Sequence, residues 1–326
     1  MTQDRNEHPS PTLARFGLAA LGVAMVGAGL AAASELLGRD AERQVPADGH
    51  FLDVEGARLH FVDTGSGRPI VMVHGLAGQL RNFTHSLTTL LEAEHRLIVV
   101  DRPRYGYSAP KPGTEPNIRD QGRLIARFID KLGLEKPLVV GHSLGGAVAL
   151  AAALHAPGKI GGLVLLAPLT QPLEQAPEAL RLLQRDSGVA RATMSRMFGV
   201  PFGRLGRKVN EAAIFAPDPA PEDFGTRGGG LLALRPHTLD AAMFEVGVSK
   251  DDLAAMTPRY GELKLPVSIL FAREDNLLNP DVHGRRTARE IPGAVFEEIE
   301  GGHMLPVTHP EACARVIRAA YARVKR

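Results

Sequence analysis

The stretch VVGHSLGGAVALAAALHAP, Val139 to Pro157, sets one serine between two glycines where a β-branched run gives way to an alanine-rich one. β-Branched residues favour a strand and alanines a helix, so Ser143 falls on the turn between them. Gly141-His142-Ser143-Leu144-Gly145 is a G-x-S-x-G pattern, which in a strand-to-helix context predicts a sharp turn that exposes the hydroxyl. A serine so placed takes strained backbone angles, and Gly141, Gly145 and Gly146 keep side chains from colliding with the adjoining strand and helix. The following helix aims its first amides at the same point, which makes the Leu144 N–H the natural donor to an oxyanion. A tight turn with an idle serine is the plain alternative.

A serine hydroxyl is a poor nucleophile near neutral pH, so the chemistry requires a base and a group that orients the base. Both occur later in the chain. Asp275, in FAREDNLLNP, comes just after the apolar run Val267–Ala272, and His303, in IEGGHMLP, just after Ala294–Ile299. Glu274 is the competing acid. A second oxyanion donor is expected on the loop after VMVHG, where the Leu76 N–H of His74-Gly75-Leu76-Ala77-Gly78 is the candidate. His142 is expected to pack or hydrogen-bond locally rather than to transfer protons. His74 also reads as a metal ligand, but the 12 histidines contain no H-E-x-x-H or similarly spaced pair, so no metal is implied.

Outward from Ser143, short apolar runs alternate with helical spacing, which predicts an α/β fold: a mostly parallel sheet flanked by helices. Phe51–Gly65 reads as an opening hairpin turning at Glu55-Gly56. Strands are then expected in Pro69–Gly75, Arg96–Asp101, Pro137–Ser143, Gly161–Pro168, Pro266–Ala272 and Ala294–Ile299. Helical spacing marks Phe83–Glu92, Ile118–Leu132, Leu144–His155 and Pro310–Val324. The core is expected over 50–168 and 266–326. Residues 169–265 break the rhythm, because one crossover takes far fewer residues than this interval holds. A helical cap over the carboxyl edge of the sheet, where ligands of open α/β sheets bind, is the economical reading. Within it, Gly228–Gly230 is a hinge or a plain loop. Met194, Met197, Phe198, Phe202, Phe215 and Phe244 suit an acyl chain or form a core. Between Arg181 and Lys208 seven basic residues stand against one acidic, Asp186, which makes a solvated face or a contact for anionic lipid or substrate.

Ahead of the core the chain divides into a polar tail (1–15), a hydrophobic helix (16–34) and a polar linker (35–49). Phe16 to Ala33 carries no charge over 18 residues, near the lower limit for a membrane span, and 11 of these are Gly or Ala. Ala20, Ala24, Ala28 and Ala32 share one helical face suited to close helix contact. The expectation is a membrane-associated protein with a single N-terminal anchor and lipid around residues 16–33. A cleaved signal peptide ending at Ala33, with export, is one alternative and a soluble helix another. Arginines flank the segment on both sides and leave its orientation open. Gly27, Gly29 and Ala32 match G-x-G-x-x-A, but no strand with a closing acid follows, so no dinucleotide is implied.

At 326 residues and 44% hydrophobic content the chain can bury a substantial core. A net charge of +2 gives no electrostatic case for nucleic acid. The single cysteine, Cys313, forbids an intrachain disulfide and is expected in the core of the last helix.

Taken with VHG at 73–75, DRPRYGYS at 101–108, GHSLGG at 141–146, the Asp275 loop and GGHMLPVTHPE at 301–311, the chain from Phe51 to Arg326 resembles the α/β-hydrolase superfamily. The chain order Ser143, Asp275, His303 is the one associated with that superfamily. Arg104 stands where glycine is common, so the backbone there is expected to differ locally. Tyr105 and Tyr107 border the pocket or pack in the turn. Haloalkane dehalogenases and epoxide hydrolases use an aspartate nucleophile, where this chain has Ser143; it also has no Trp. Carbon–carbon bond hydrolases of ring-cleavage pathways resemble it more closely, but typically carry Asn before the serine and Trp after the histidine, where His142 and Met304 stand. Cofactor-free perhydrolases and haloperoxidases carry an aromatic residue after HG, where Leu76 stands. The expected function is hydrolysis of a carboxylic ester, or a thioester, of a small-molecule acyl substrate without a cofactor. Perhydrolase-like and carbon–carbon hydrolase activities are alternatives, as are a non-catalytic ligand-binding protein and a membrane-tethered interaction module.

Overall fold

The apolar runs assemble into one sheet in the computed structural model, which describes residues 11–173 and 187–324. The strands are β1 (His50–Val54), β2 (Ala57–Thr64), β3 (Pro69–Val73), β4 (Arg96–Val100), β5 (Ala109–Pro110), β6 (Leu138–His142), β7 (Gly162–Leu166), β8 (Val267–Ala272) and β9 (Val295–Ile299). Their order is β1-β2-β4-β3-β6-β7-β8-β9, with β5 alongside β2. β1, β2 and β5 pair antiparallel, and from β4 to β9 every pairing is parallel. Parallel strands covered on both faces must be apolar throughout. Accordingly every residue of β6, β7 and β8 is buried.

The helices used below are α1 (Pro11–Gln44), α2 (Ile118–Lys131), α3 (Leu144–His155), α4 (Arg207–Phe215), α5 (Pro236–Met256) and α6 (Pro310–Arg323). Asn117 caps α2 in a reciprocal box with Asp120, which satisfies two otherwise orphaned amides. α3 has no polar face because it is buried from Leu144 to Leu154. Cys313 is buried in α6, as expected. Because β3, β6, β8 and β9 run in the same direction, the segments that follow them emerge at one edge of the sheet. Those segments carry Leu76, Ser143, Asp275 and His303. Between β7 and β8 the chain leaves the sheet for an insertion of short helices, including α4 and α5, over that edge.

Three expectations are corrected. Phe83–Glu92 is not one helix but a short helical turn at Arg81–Thr84 and another at Thr88–Leu90. Its apolar spacing marked burial, since Phe83, Leu87 and Leu91 are fully buried. Hydroxyls compete there for the backbone, the Thr89 hydroxyl donating to the Ser86 carbonyl at 2.8 Å. The stretch read as a polar linker is helical up to Gln44, because Glu35 to Arg43 are mostly good helix formers and Asp40 bonds Arg43 and Gln44 on the next turn.

The third correction concerns the membrane anchor, the lipid around residues 16–33 and the membrane-associated localisation. Among the described residues no helix is long and apolar enough to cross a membrane. Gly and Ala make up 11 of the 18 residues from Phe16 to Ala33 and supply little apolar side chain. The second half of α1 instead lies on the insertion: Gly27 is buried, the buried Ser34 donates to the Arg196 carbonyl, and Ala41 and Val45 close a small core with Leu231 and Leu232. Ala28 and Ala32 of the small-residue stripe are exposed, while the side chains of Ala20 and Ala24 lie outside the described residues. The candidate signal cleavage point falls in mid-helix, beside the buried Ser34.

Candidate active site

Ser143 sits between β6 and α3 with φ 54° and ψ −124°, outside the regions an ordinary residue occupies. Backbone approach enforces this turn. A Cβ on Gly145 would lie 2.1 Å from the Val73 carbonyl oxygen, and one on Gly141 would lie 2.4 Å from that of Gly145. Glycine is therefore required at both positions by contact with backbone that cannot yield. The turn is also hydrogen-bonded on both sides: Ser143 N–H donates to Leu166 at 3.0 Å, and its carbonyl accepts from Gly146 and Leu169 at 2.9 Å each.

Asp275 and His303 meet across the ends of β8 and β9. His303 Nδ1 lies 2.7 Å from Asp275 Oδ2, and both residues are buried. A carboxylate accepts, so Nδ1 carries the proton and Nε2 is left as an acceptor. The other carboxylate oxygen accepts from the amides of Leu277 and Leu278 at 2.9 Å each. Burial pushes the Asp275 carboxyl up, but the His303 ring and these two amides outweigh it and hold the group below its ordinary value. Glu274 points elsewhere and accepts from the Gly301 amide at 2.7 Å.

Ser143 and His303 line one cavity of about 330 Å³, together with Leu76, Ala77, Leu144 and the sulfur-bearing Met304. No hydrogen bond joins the Ser143 hydroxyl to the His303 ring in this arrangement; such bonds commonly close only around substrate. Ala77 has φ 52°, so the loop after β3 also departs from ordinary backbone next to the serine. His142 Nε2 donates to the His303 carbonyl at 3.0 Å, which joins the serine turn to the histidine loop. Burial, reinforced by the His303 ring, pushes His142 down to about 3, so it is neutral at physiological pH. It bonds locally, as its position predicted.

The insertion supplies the remaining walls, chiefly Ile214 of α4, Phe224, Leu234 and Val246 of α5. None of Met194, Met197, Phe198, Phe202, Phe215 and Phe244 lines the cavity: Phe215 is core, while Phe198 and Phe202 are exposed. The apolar wall is thus present but formed by other residues. Gly228–Gly230 is a docked turn, its Gly228 carbonyl accepting from Gln79 at 3.2 Å and Asn82 at 3.0 Å. The basic run is largely neutralised by pairing, Arg191 with Glu115, Arg204 with Asp40 and Arg207 with Glu211, while Arg181, Arg185 and Asp186 lie outside the described residues. Tyr105 and Tyr107 are turn packing rather than pocket wall, and Tyr260 is buried with its hydroxyl on the Thr170 carbonyl at 2.6 Å. Arg104 keeps a glycine-like φ of 72° and reaches Glu115 and Asp240, so the backbone there does not depart from the glycine form.

The sequence reading did not single out Arg102 or Glu245. They form a buried ion pair at 2.6 Å beneath the loop after β3. An isolated acid within the apolar run Ala241-Ala242-Met243-Phe244-Glu245-Val246-Gly247-Val248 was the available signal, since such a group needs a buried partner.

A family model described as alpha/beta hydrolase fold matches residues 68–310. A 2-hydroxy-6-oxononadienedioate/2-hydroxy-6-oxononatrienedioate hydrolase from Cupriavidus pinatubonensis is 29% identical over 268 residues, covering 80% of this chain and 89% of the relative. A thermophilic esterase from Thermogutta terrifontis superposes with TM-score 0.66 at 24% identity, over 85% of this chain and 99% of that one. The enol-lactonase from Burkholderia xenovorans superposes with TM-score 0.67 at 19% identity, over 84% and 100%. At these identities the two structures speak for the fold. With its family model matched over most of its length and its sheet, serine turn and chain order in agreement, this chain belongs to the α/β-hydrolase family and is a hydrolase.

Proposed function

We propose that Ser143, His303 and Asp275 act as nucleophile, base and orienting carboxylate, and that they hydrolyse a carboxylic ester, lactone or thioester through an acyl-enzyme. The observation that carries this reading is the 2.7 Å His303–Asp275 bond, which leaves Nε2 as the acceptor in the cavity shared with Ser143. Ser143 Oγ attacks the acyl carbon while its proton passes to His303 Nε2. The amides of Leu76 and Leu144 hold the oxyanion. Collapse expels the leaving group, which takes that proton, and water then releases the acid by the same two steps. The charged groups of the lining balance, Arg207 with Glu211 and Lys250 with Asp251, around otherwise largely apolar walls. A neutral acyl group suits such a cavity.

Cleavage of a carbon–carbon bond beside a ketone is the second reading, and the sequence relatives, named as 2-hydroxy-6-oxononadienedioate and 2-hydroxy-6-oxo-6-phenylhexa-2,4-dienoate hydrolases, support it more directly than they support the ester reading. The same serine chemistry serves both, with a carbon leaving group in place of oxygen. The test runs the full chain on p-nitrophenyl esters of increasing acyl length and on a 2-hydroxy-6-oxo-dienoate. We expect turnover of short esters, with Ser143→Ala and His303→Ala each lowering kcat by at least about 10⁴-fold. Cleavage of the dienoate alone would transfer the assignment to the second reading. Wild type matching Ser143→Ala on both would overturn the acyl-enzyme reading.

A further inference from the structure

Arg102 follows β4 and is one of the largest fully buried side chains among the described residues. Its Nε donates to the His74 carbonyl at 2.9 Å and its Nη2 to the Gly75 carbonyl at 2.8 Å. Its own amide donates to His74 Nε2 at 2.9 Å, which leaves the proton of that ring on Nδ1, 2.9 Å from the same Gly75 oxygen. The Gly78 amide adds a third donor to that oxygen at 3.2 Å. The carbonyl of Gly75 and the N–H of Leu76 belong to one planar trans peptide and so point in opposite directions. Fixing the oxygen on Arg102 therefore turns the Leu76 N–H away from the core, toward the cavity that Leu76 lines.

The other side of the guanidinium faces the insertion. Nη1 donates to Glu245 Oε1 at 2.6 Å and to Gln121 Oε1 at 2.8 Å, and the Tyr105 hydroxyl donates to Glu245 Oε2 at 2.7 Å. Glu245 is buried on α5, and the next two residues, Val246 and Gly247, line the cavity. Resting on the acyl-enzyme reading above, we propose that Arg102 is a positioning residue that aims the Leu76 amide at the oxyanion, and that Glu245 couples this aim to the seating of α5. A purely structural ion pair would hold the fold and leave the transition state untouched.

Arg102→Met alone strands Glu245 in the core, so it lowers both Tm and rate and separates nothing. Arg102→Met/Glu245→Met removes both charges, which recovers most of the Tm lost by the single variant, while the Gly75 carbonyl loses its charged donor and keeps only His74 Nδ1 and the Gly78 amide. The double variant should therefore remain about 10²-fold down in kcat, with KM within about threefold of wild type. Its affinity for an alkyl boronic acid, which forms a tetrahedral adduct on a serine oxygen, should fall by a similar factor. Amide exchange in the peptide spanning His74–Gly78 should rise while the rest of the sheet keeps its protection. Wild-type kcat and boronate affinity in a folded double variant would overturn the proposal, as would unchanged exchange in that peptide. Wild type and Ser143→Ala equally inert to ester and boronate would overturn the acyl-enzyme reading instead, and exchange at His74–Gly78 would then report whether Arg102 holds the loop.

Discussion

At the carboxyl edge of the sheet, backbone meets backbone: Gly145 leaves no room for a Cβ against Val73, and the Ser143 turn is tied to Leu166 and Leu169 through main-chain bonds. The insertion above it reaches its neighbours through long charged side chains, Arg191 to Glu115, Arg104 to Asp240, Arg204 to Asp40 and Arg235 to Glu42. Close backbone packing admits one arrangement, whereas a side-chain ion pair fixes only the two groups it joins. The edge thus fixes the reacting groups, and the insertion builds the cavity wall over them. Arg102 and Glu245 are where the two regimes meet, since a rigid loop and an inserted helix share one buried ion pair.

The largest effect that would sharpen this contrast lies at the edge. Asp275→Asn should lower kcat/KM by about 10⁴-fold, roughly 5–6 kcal/mol of transition-state stabilisation, because the amide leaves His303 in the wrong tautomer. Glu274→Gln, whose residue bonds Gly301 instead, should stay within about threefold; equal losses from the two would return the choice of acid to open competition. Gly145→Ala forces a methyl onto the Val73 carbonyl and should cost about 4 kcal/mol in a denaturant titration. A loss below about 1 kcal/mol would show that the edge yields as readily as the insertion. Leu232→Ala, in the small core between α1 and the insertion, should cost about 2–4 kcal/mol and raise KM more than it lowers kcat.

The junction between the regions carries a pH signature. His283 Nδ1 accepts from the amides of Thr170 and Gln171, near the start of the insertion, at 3.3 and 3.2 Å. Burial pushes His283 down to about 4, as it pushes His142 to about 3. Below the unfolded value of 6.5 the unfolded chain binds protons that the folded chain refuses, so stability is full above 6.5 and falls as the pH drops toward 4. Each ring contributes a slope of about 1.4 kcal/mol per pH unit within that window. His283→Gln should remove its own share, about 1.4 kcal/mol per pH unit, from the slope of unfolding titrations between pH 6 and 4.5; an unchanged slope would show that the ring is not held neutral. The smallest effect is at the surface: Asp40→Ala removes partly exposed pairs with Arg204 and Arg43 and should lower Tm least of these variants, less still at high salt.

What could be read in advance follows the same division. Strands and the serine turn were legible because main-chain crowding dictates residue type at fixed spacing, as at Gly141, Ser143 and Gly145. Asp275 and His303 were legible because each falls just after an apolar strand at the same edge. The cavity wall was not: Ile214, Phe224, Leu234 and Val246 face inward and Phe202 outward for reasons of tertiary packing that no local period records. The α1 contacts were hidden for the same reason, since Asp40 and Arg204 are 164 residues apart. The apolar N-terminal run suggested lipid because hydropathy counts alanine as apolar without asking what the helix can lean on.

That helix leaves the ribosome long before the surface it needs. Ala41 and Val45 close over Leu231 and Leu232, about 190 residues later in the chain. At synthesis rates of ~5–20 residues per second, roughly 10–40 s pass before those partners exist. Through that interval the second half of α1 waits with its contact face uncovered, so the small core it shares with the insertion closes late. Slowing translation between codons 45 and 232 would lengthen that exposure and leave the serine turn, built from residues 139–157 and its neighbouring strands, to assemble on its own schedule.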